Sequence, residues 1–205
     1  FDQMLFYLPL SGSTFKKVYY DALLGRAVSK FVPADDLIVP YSANSLEDAE
    51  AVIQVIKISE NELRKQQVSG FYSDIELGDP PVIENQLKET ELRLEGIAKD
   101  GQEDQYTLYE IHTDLDLEGY EDRDADGEET GIKLPYVITV AQSNQKILSI
   151  RRNYRPEEKL RKKINYFVQF KFLPGTGFYG FGLIHMIGGL TRTATAALRQ
   201  LLDAG

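Results

Sequence analysis

Apolar and polar positions alternate through most of the second half of the chain, and a period of two predicts strands. YTLYEIHTDLDL, residues 106–117, alternates along its whole length. PYVITVAQ and KILSIRRNY flank Ser143-Asn144-Gln145, a hairpin pattern, and NYFVQFKF, 165–172, is a further strand. From Tyr179 or Gly180 to Leu202 the apolar period lengthens to that of a helix. The first half is mixed. MLFYLPL, 4–10, reads as a strand that Gly12 and its flanking serines turn onto FKKVYY, 15–20. LIVPY, 37–41, is a short strand with Pro40 at an edge or end, and AVIQVIKI, 51–58, is a buried strand. Four short helices are predicted from caps and composition. SLEDAE, 45–50, starts with an N-cap serine; Ser59 caps ENELRKQQ with Glu62 as its capping-box partner. PPVIENQLKETELRLEGI, 80–97, has Pro81 near its start, and EEKLRKKI follows Pro156. No internal repeat is present. The pattern predicts an α+β fold, antiparallel and β-rich, with short helices, a longer C-terminal helix and a single domain over residues 1–205.

Composition narrows the function. The chain has 205 residues, 42% hydrophobic and 27% charged, as in an ordinary globular protein. A net charge of -9 argues against a protein that coats DNA, because that affinity comes mostly from neutralising phosphates. There is no cysteine, so disulfides and thiolate metal sites are excluded, which fits a reducing cytoplasm. No apolar run reaches the ~18 residues of a membrane span, and no signal-peptide pattern follows Phe1. The start at Phe1 and the stop at Asp203-Ala204-Gly205, straight after an apolar helical pattern, lead us to expect a piece of a longer protein. Charge is segregated. Residues 101–130 hold 12 acids and one base, and an acidic hairpin or loop is expected at about 118–133. Residues 151–171 hold eight bases and two acids, either a basic face or a solvated salt-bridge surface.

Three motifs suggest chemistry, and each has a plainer explanation. Gly175, Gly177 and Gly180 of GTGFYG have the G-x-G-x-x-G spacing of a dinucleotide turn between a strand and a helix. Such a site needs a second parallel strand and a ribose-binding acid about 20 residues on. Asp203 has roughly that spacing, but it continues the helical pattern and no second strand follows. No cofactor is expected. In DRDADG, Asp122, Asp124 and Asp126 take the first, third and fifth places of a calcium loop and Gly127 the sixth. Lys133 stands where the bidentate glutamate belongs, so a polar hairpin tip is the plainer explanation and weak cation binding the alternative. The only histidines, His112 and His185, lie in a strand and in the last helix, and no nucleophile-elbow, P-loop or zinc-protease motif accompanies them. No enzyme active site is expected.

The last helix carries the sharper signal. Leu183, Ile187, Leu190, Ala194, Leu198 and Leu201 share one face, widened by Ile184, Met186, Ala197 and Leu202. His185, Arg192, Arg199 and Asp203 line the opposite face, flanked by Gly188, Gly189 and Ala196. Adjacent glycines inside a helix imply a close approach or a bend, since each costs ~1 kcal/mol against alanine. Two readings follow: a helix packed on the core with a solvated back, or a back that meets another subunit.

LPGTGFYGFGLIHMIGGLTRTATAALRQLLDAG resembles the segment of tailed-phage portal proteins that leads into the helical stem. GSTFKKVYYDALLGRAVSKFVPADDLIVPYSANSLEDAEAVIQVIKISENELRKQQVSGFY is similar to the same family, in the type found in short-tailed phages and prophages. The resemblance covers most of 1–80 and 130–205. It implies a subunit of a ring, usually of twelve, at one capsid vertex in the virion, through which double-stranded DNA passes without sequence preference. It implies no enzymatic activity and no membrane, with terminase, capsid and tail-adaptor proteins as partners. This stretch corresponds to the wing, with 180–203 as the start of the stem helix. Gly175, Gly177 and Gly180 then shape the turn into the stem, and His185, Arg192 and Arg199 contact a neighbour or the channel.

Overall fold

In a computed structural model, the described residues are 1–21, 24–78, 105–123 and 126–204. The chain divides into two compact units, Phe1–Val52 with Ile164–Gly205, and Ile53–Lys163, within the stretch expected to form one domain. The mixture of helices with antiparallel sheets is α+β, as the sequence predicts.

The first unit is built on a three-stranded sheet. β1 (Ser13–Asp21) lies between β2 (Arg26–Val32) and the strand Phe167–Lys171, numbered β8 in chain order. Both pairings are antiparallel, and Phe15 stands opposite Val32 on one side and Gln169 on the other. Phe15 anchors the core with Val32, Leu37, Ala43, Phe167 and Phe178, and its ring stacks on that of Phe178 at 5.8 Å. MLFYLPL is not a strand; it lies in helix α1 (Asp2–Ser11). A strand has two edges, and both edges of β1 are taken. Gly12 ends α1 in the left-handed region at φ 85, and its N–H donates to Leu8 O at 2.9 Å.

Two further short elements of this unit are a 3-10 turn (Ala34–Asp36) and β3 (Leu37–Ile38). The strand expected over 37–41 stops there, because a turn closes from Ala43 N–H to Pro40 O. SLEDAE forms a cap without a helix. Ser45 Oγ accepts from Glu47 N–H and Asp48 N–H, and the Asp48 carboxylate accepts from Ser45 N–H and Asn44 N–H. Ala49 is buried in the core and the next strand starts at Ala51, so no helical turn propagates. The last helix, α3 (Leu183–Ala204), starts later than the pattern suggests because Phe181 is bridged to Leu173 as extended chain.

The second unit is built on strands in the order β4 (Ala51–Ser59), β5 (Gln105–Leu115), β6 (Leu134–Ala141), β7 (Ile147–Arg152), with β5, β6 and β7 pairing antiparallel in turn. The hairpin over 143–145 is present, with Gln145 at φ 56 and Ala141 N–H donating to Lys146 O. Helix α2 (Glu60–Val68) follows β4; Ser59 Oγ accepts from Glu62 N–H as the capping box predicts, and Leu63 is its buried residue. Leu108, Ala141, Leu148, Tyr72 and Tyr106 complete this core. The helix predicted at 80–97 lies outside the described residues. The helix predicted after Pro156 is instead two successive turns, Glu158 N–H to Arg155 O and Arg161 N–H to Glu158 O, with Arg161 at φ 42. The left-handed Arg161, whose guanidinium is bonded to Asp122, interrupts the run, although Glu157–Arg161 and Glu158–Lys162 would have been favourable pairs in a helix.

Candidate functional site

The mount of α3 is where the chain's glycines act. Three segments of the first unit cross with their backbones touching: 10–13, 171–173 and 180–182. Gly180 N–H donates to Ser13 Oγ at 2.7 Å, and Phe172 N–H to Gly12 O at 3.0 Å. Leu173 and Phe181 exchange both backbone hydrogen bonds, at 3.3 and 2.9 Å. A Cβ at Gly182 would lie 2.4 Å from Leu10 O and 2.5 Å from Gly12 N. A Cβ at Gly12 would lie 2.4 Å from Gly182 N, and one at Gly180 would lie 2.6 Å from Leu173 O and 2.7 Å from Gly12 O. These spacings exclude any side chain.

The three glycines of the motif therefore differ in role. Gly180 is required by close approach, and Gly175 likewise, because its Cβ would meet Tyr179 O at 2.4 Å. Gly177 has open space around it. None of the three is left-handed, so Gly175 and Gly180 serve by absence of bulk and not by a special dihedral, and neither reason applies to Gly177. Gly12 and Gly182, which complete the crossing, do not belong to the motif. Gly12 shows in the sequence only as a local turn, and the contact with Gly182 spans 170 residues.

His185 is turned back on its own helix. Gly182 O accepts from His185 N–H and Met186 N–H, which makes Gly182 the N-cap, and His185 Nδ1 accepts from Gly182 N–H at 3.1 Å. The imidazole thus fills the place of a capping-box glutamate and packs edge-on to Phe181. Arg192 and Arg199 are exposed, and neither forms an ion pair among the described residues. Thr191, Thr193 and Thr195 donate their hydroxyls back to carbonyls four residues earlier. A Cβ at Gly188 or Gly189 would meet nothing within 4 Å, so no neighbour among the described residues accounts for the pair.

The apolar face of α3 corrects one of the two readings of that helix. It is not packed on the core. Its large apolar side chains range from 41% exposed at Leu183 to 80% at Leu202, with Leu190 at 72%. Soluble monomers rarely leave a continuous apolar face of this extent.

The Asp-rich loop and His112 both lie in the second unit. Asp122 is bonded to the Arg161 guanidinium and accepts from Thr130 Oγ1 at 2.7 Å. Thr130 N–H also donates to Asp122 O, and Arg123 reaches Glu129, so the described part of 118–133 is a cross-linked hairpin tip. Asp124 lies outside the described residues. Asp126 is exposed, and among the described residues no cluster of three His, Asp or Glu side chains is placed to hold a metal. No helix among them is long and apolar enough to cross a membrane.

His112 is 5% exposed on β5, and its Nε2 lies 2.7 Å from Oε1 of the buried Glu110. Arg151 approaches the other carboxylate oxygen at 3.8 Å and stacks over the Phe71 ring. Ser149 Oγ donates to Thr139 Oγ1 at 3.2 Å in the neighbouring row. Burial, and next the Glu110 carboxylate, push the Tyr72 phenol up to about 12. Glu110 and His112 alternate with apolar neighbours, so β5 displays the pattern of an ordinary half-buried strand and the sequence gives no sign of this polar network. A one-residue slip of β5 would turn Tyr106 and Leu108 out together with Glu110 and His112, so the apolar members of that face hold the register.

Compared with models of protein families and with curated proteins, the chain matches none of them.

Proposed function

We propose that this chain is the wing and first stem segment of a portal subunit of the short-tailed phage and prophage type. In that role it is a structural protein of the virion without chemistry of its own. Its partners are further copies of itself in a ring, the terminase, capsid and tail-adaptor proteins, and the DNA passing through. The identification comes from the resemblance of 1–80 and 130–205. The observation that carries the assembly role is the bare apolar face of α3, held on a glycine crossing that gives the helix a fixed seat. Complete burial of a Leu or Ile side chain is worth about 1.5–3 kcal/mol. Eight large apolar residues on α3 are each 41–80% exposed, so a neighbour that covered them completely would gain on the order of 7–15 kcal/mol before binding costs.

The test uses the full-length protein that carries this chain. Arg192→Glu with Arg199→Glu should impair ring formation, scored by electron microscopy of purified particles, and should lower packaged DNA. Leu190→Lys with Leu198→Lys should do so more strongly. Normal rings and normal packaging in both variants would overturn the proposal.

A further inference from the structure

α3 is not the only bare apolar element of the first unit. Phe1, which caps α1, and Leu5 and Phe6 within it are 73%, 53% and 66% exposed, and Met4 is the one buried residue of that helix. α1 ends against the root of α3, where Leu10 O and Gly12 N face Gly182. One unit therefore displays two neighbouring apolar surfaces of different shape, one on a ten-residue helix and one on a 22-residue helix. At about 150–250 Å² for a fully exposed large side chain, the two together expose on the order of 1,000 Å². That exceeds the ~300–600 Å² patch of a typical monomer. In a head-to-tail contact α3 of one copy meets α1 of the next, so the two surfaces together supply most of the ~1,600 Å² total of a standard interface and the flanking surface supplies the rest.

We infer that α1 is the receiving surface for α3 of a neighbouring copy, so that each chain inserts one helix and accepts another. The inference rests on the assembly proposed above and specifies its contact. Symmetry selects this pairing. A two-fold contact of α3 with α3 would cover one surface and leave α1 bare, whereas a head-to-tail contact covers both in every copy and closes into a ring when the rotation permits. Charge points away from a lipid surface as the occupant. Asp2 is the only charged residue of α1, α3 has two arginines, and the chain carries a net charge of -9, whereas interfacial helices rely on many bases.

The 205 residues contain no cysteine, which makes cross-linking clean. In the full-length protein, with any cysteine elsewhere replaced by serine, single cysteines are placed at Leu5 or Phe6 in one preparation. A tagged second preparation carries one at Leu190, Leu198 or Leu201. The six mixtures are assembled and oxidised mildly. At least one should give a mixed disulfide between tagged and untagged subunits, at ten-fold or more above the level given by either preparation alone. A second measurement is the Leu5→Glu, Phe6→Glu variant, which alters exposed positions and should weaken self-association at least ten-fold while thermal unfolding stays unchanged. If rings form but no mixture cross-links and the glutamate variant assembles normally, the α1 contact is wrong and the portal reading stands. If the unmodified full-length protein remains a monomer, both fall.

Discussion

Placing a methyl group at Gly182 tests the mount of α3 most directly. The alanine Cβ would sit 2.4 Å from Leu10 O, 2.5 Å from Gly12 N and 2.8 Å from Leu10 C. All three are backbone atoms, so no side chain can rotate away to relieve the clash. Ordinary contact begins near 3.4 Å, so segment 10–12 must move by about an ångström relative to 180–182. That shift strains the Phe172-to-Gly12 bond at 3.0 Å and the Gly180-to-Ser13 bond at 2.7 Å, which join the same strands. Overpacking costs about 1–3 kcal/mol where side chains can adjust, and each strained buried hydrogen bond adds about 1 kcal/mol. The expected loss for Gly182→Ala is therefore about 3–5 kcal/mol. Gly177→Ala is the internal control: its Cβ meets nothing within 4 Å and its φ is not left-handed. It should be neutral or gain about 0.4–1 kcal/mol through the less flexible unfolded chain. Urea unfolding followed by tyrosine fluorescence gives both values from the shift in midpoint at constant slope. Equal midpoints for the two variants would refute the backbone-contact account of these glycines.

Three further outcomes follow from particular side chains. The Tyr72 phenol titrates near 12 when folded against 10.0 when free, so its contribution is fully present below pH 10 and is lost as pH rises through 12. Tyr72→Phe should accordingly flatten the alkaline limb of a stability-versus-pH curve by about 2–3 kcal/mol, and an unchanged limb counts against the buried assignment. Asp48 titrates below its usual value because Ser45 N–H and Oγ donate to it. That stabilisation is present above the free value of 3.8 and is lost as pH falls through the lower folded value, so Asp48→Asn should remove part of the acid-side slope in the same curve. Calcium titrated into the chain should give no saturable heat below about 1 mM, because Arg161 already neutralises Asp122 and Lys133 holds the twelfth place of the loop; a measurable Kd in that range would revive the cation site.

Where one element determined its own structure, the sequence was legible. The period-two runs of β5, β6 and β7 and the Ser59-Glu62 cap of α2 need only neighbouring residues, and all are present. Failures occurred where a remote residue decided. MLFYLPL has the composition of a strand, but β8, some 160 residues away in sequence, occupies the edge of β1 it would have needed. EEKLRKKI has helix formers, but Arg161 is claimed by Asp122 from the acidic loop. SLEDAE has a correct cap, and Ala49, drawn into the core, ends it. The site followed the same division. The amphipathic period of α3 is local and readable. That its apolar face is bare, and that Gly12 and Gly182 meet, depends on contacts the pattern does not encode.

The two kinds of glycine on α3 connect fold to function. Gly180 and Gly182 at its root are explained within the chain, because backbone lies where a Cβ would be. Gly188 and Gly189, one to two turns further along, have no such reason here, although two interior glycines weaken a helix by about 2 kcal/mol against alanine. An isolated helix with that sequence gains nothing from the cost. A helix that another backbone must approach closely does gain, and the same helix leaves Leu190 and Leu198 uncovered. The root of α3 is thus fitted to its own chain and its body to another surface. A Gly188→Ala, Gly189→Ala variant should separate the two, stabilising the isolated chain while weakening any assembly that α3 enters.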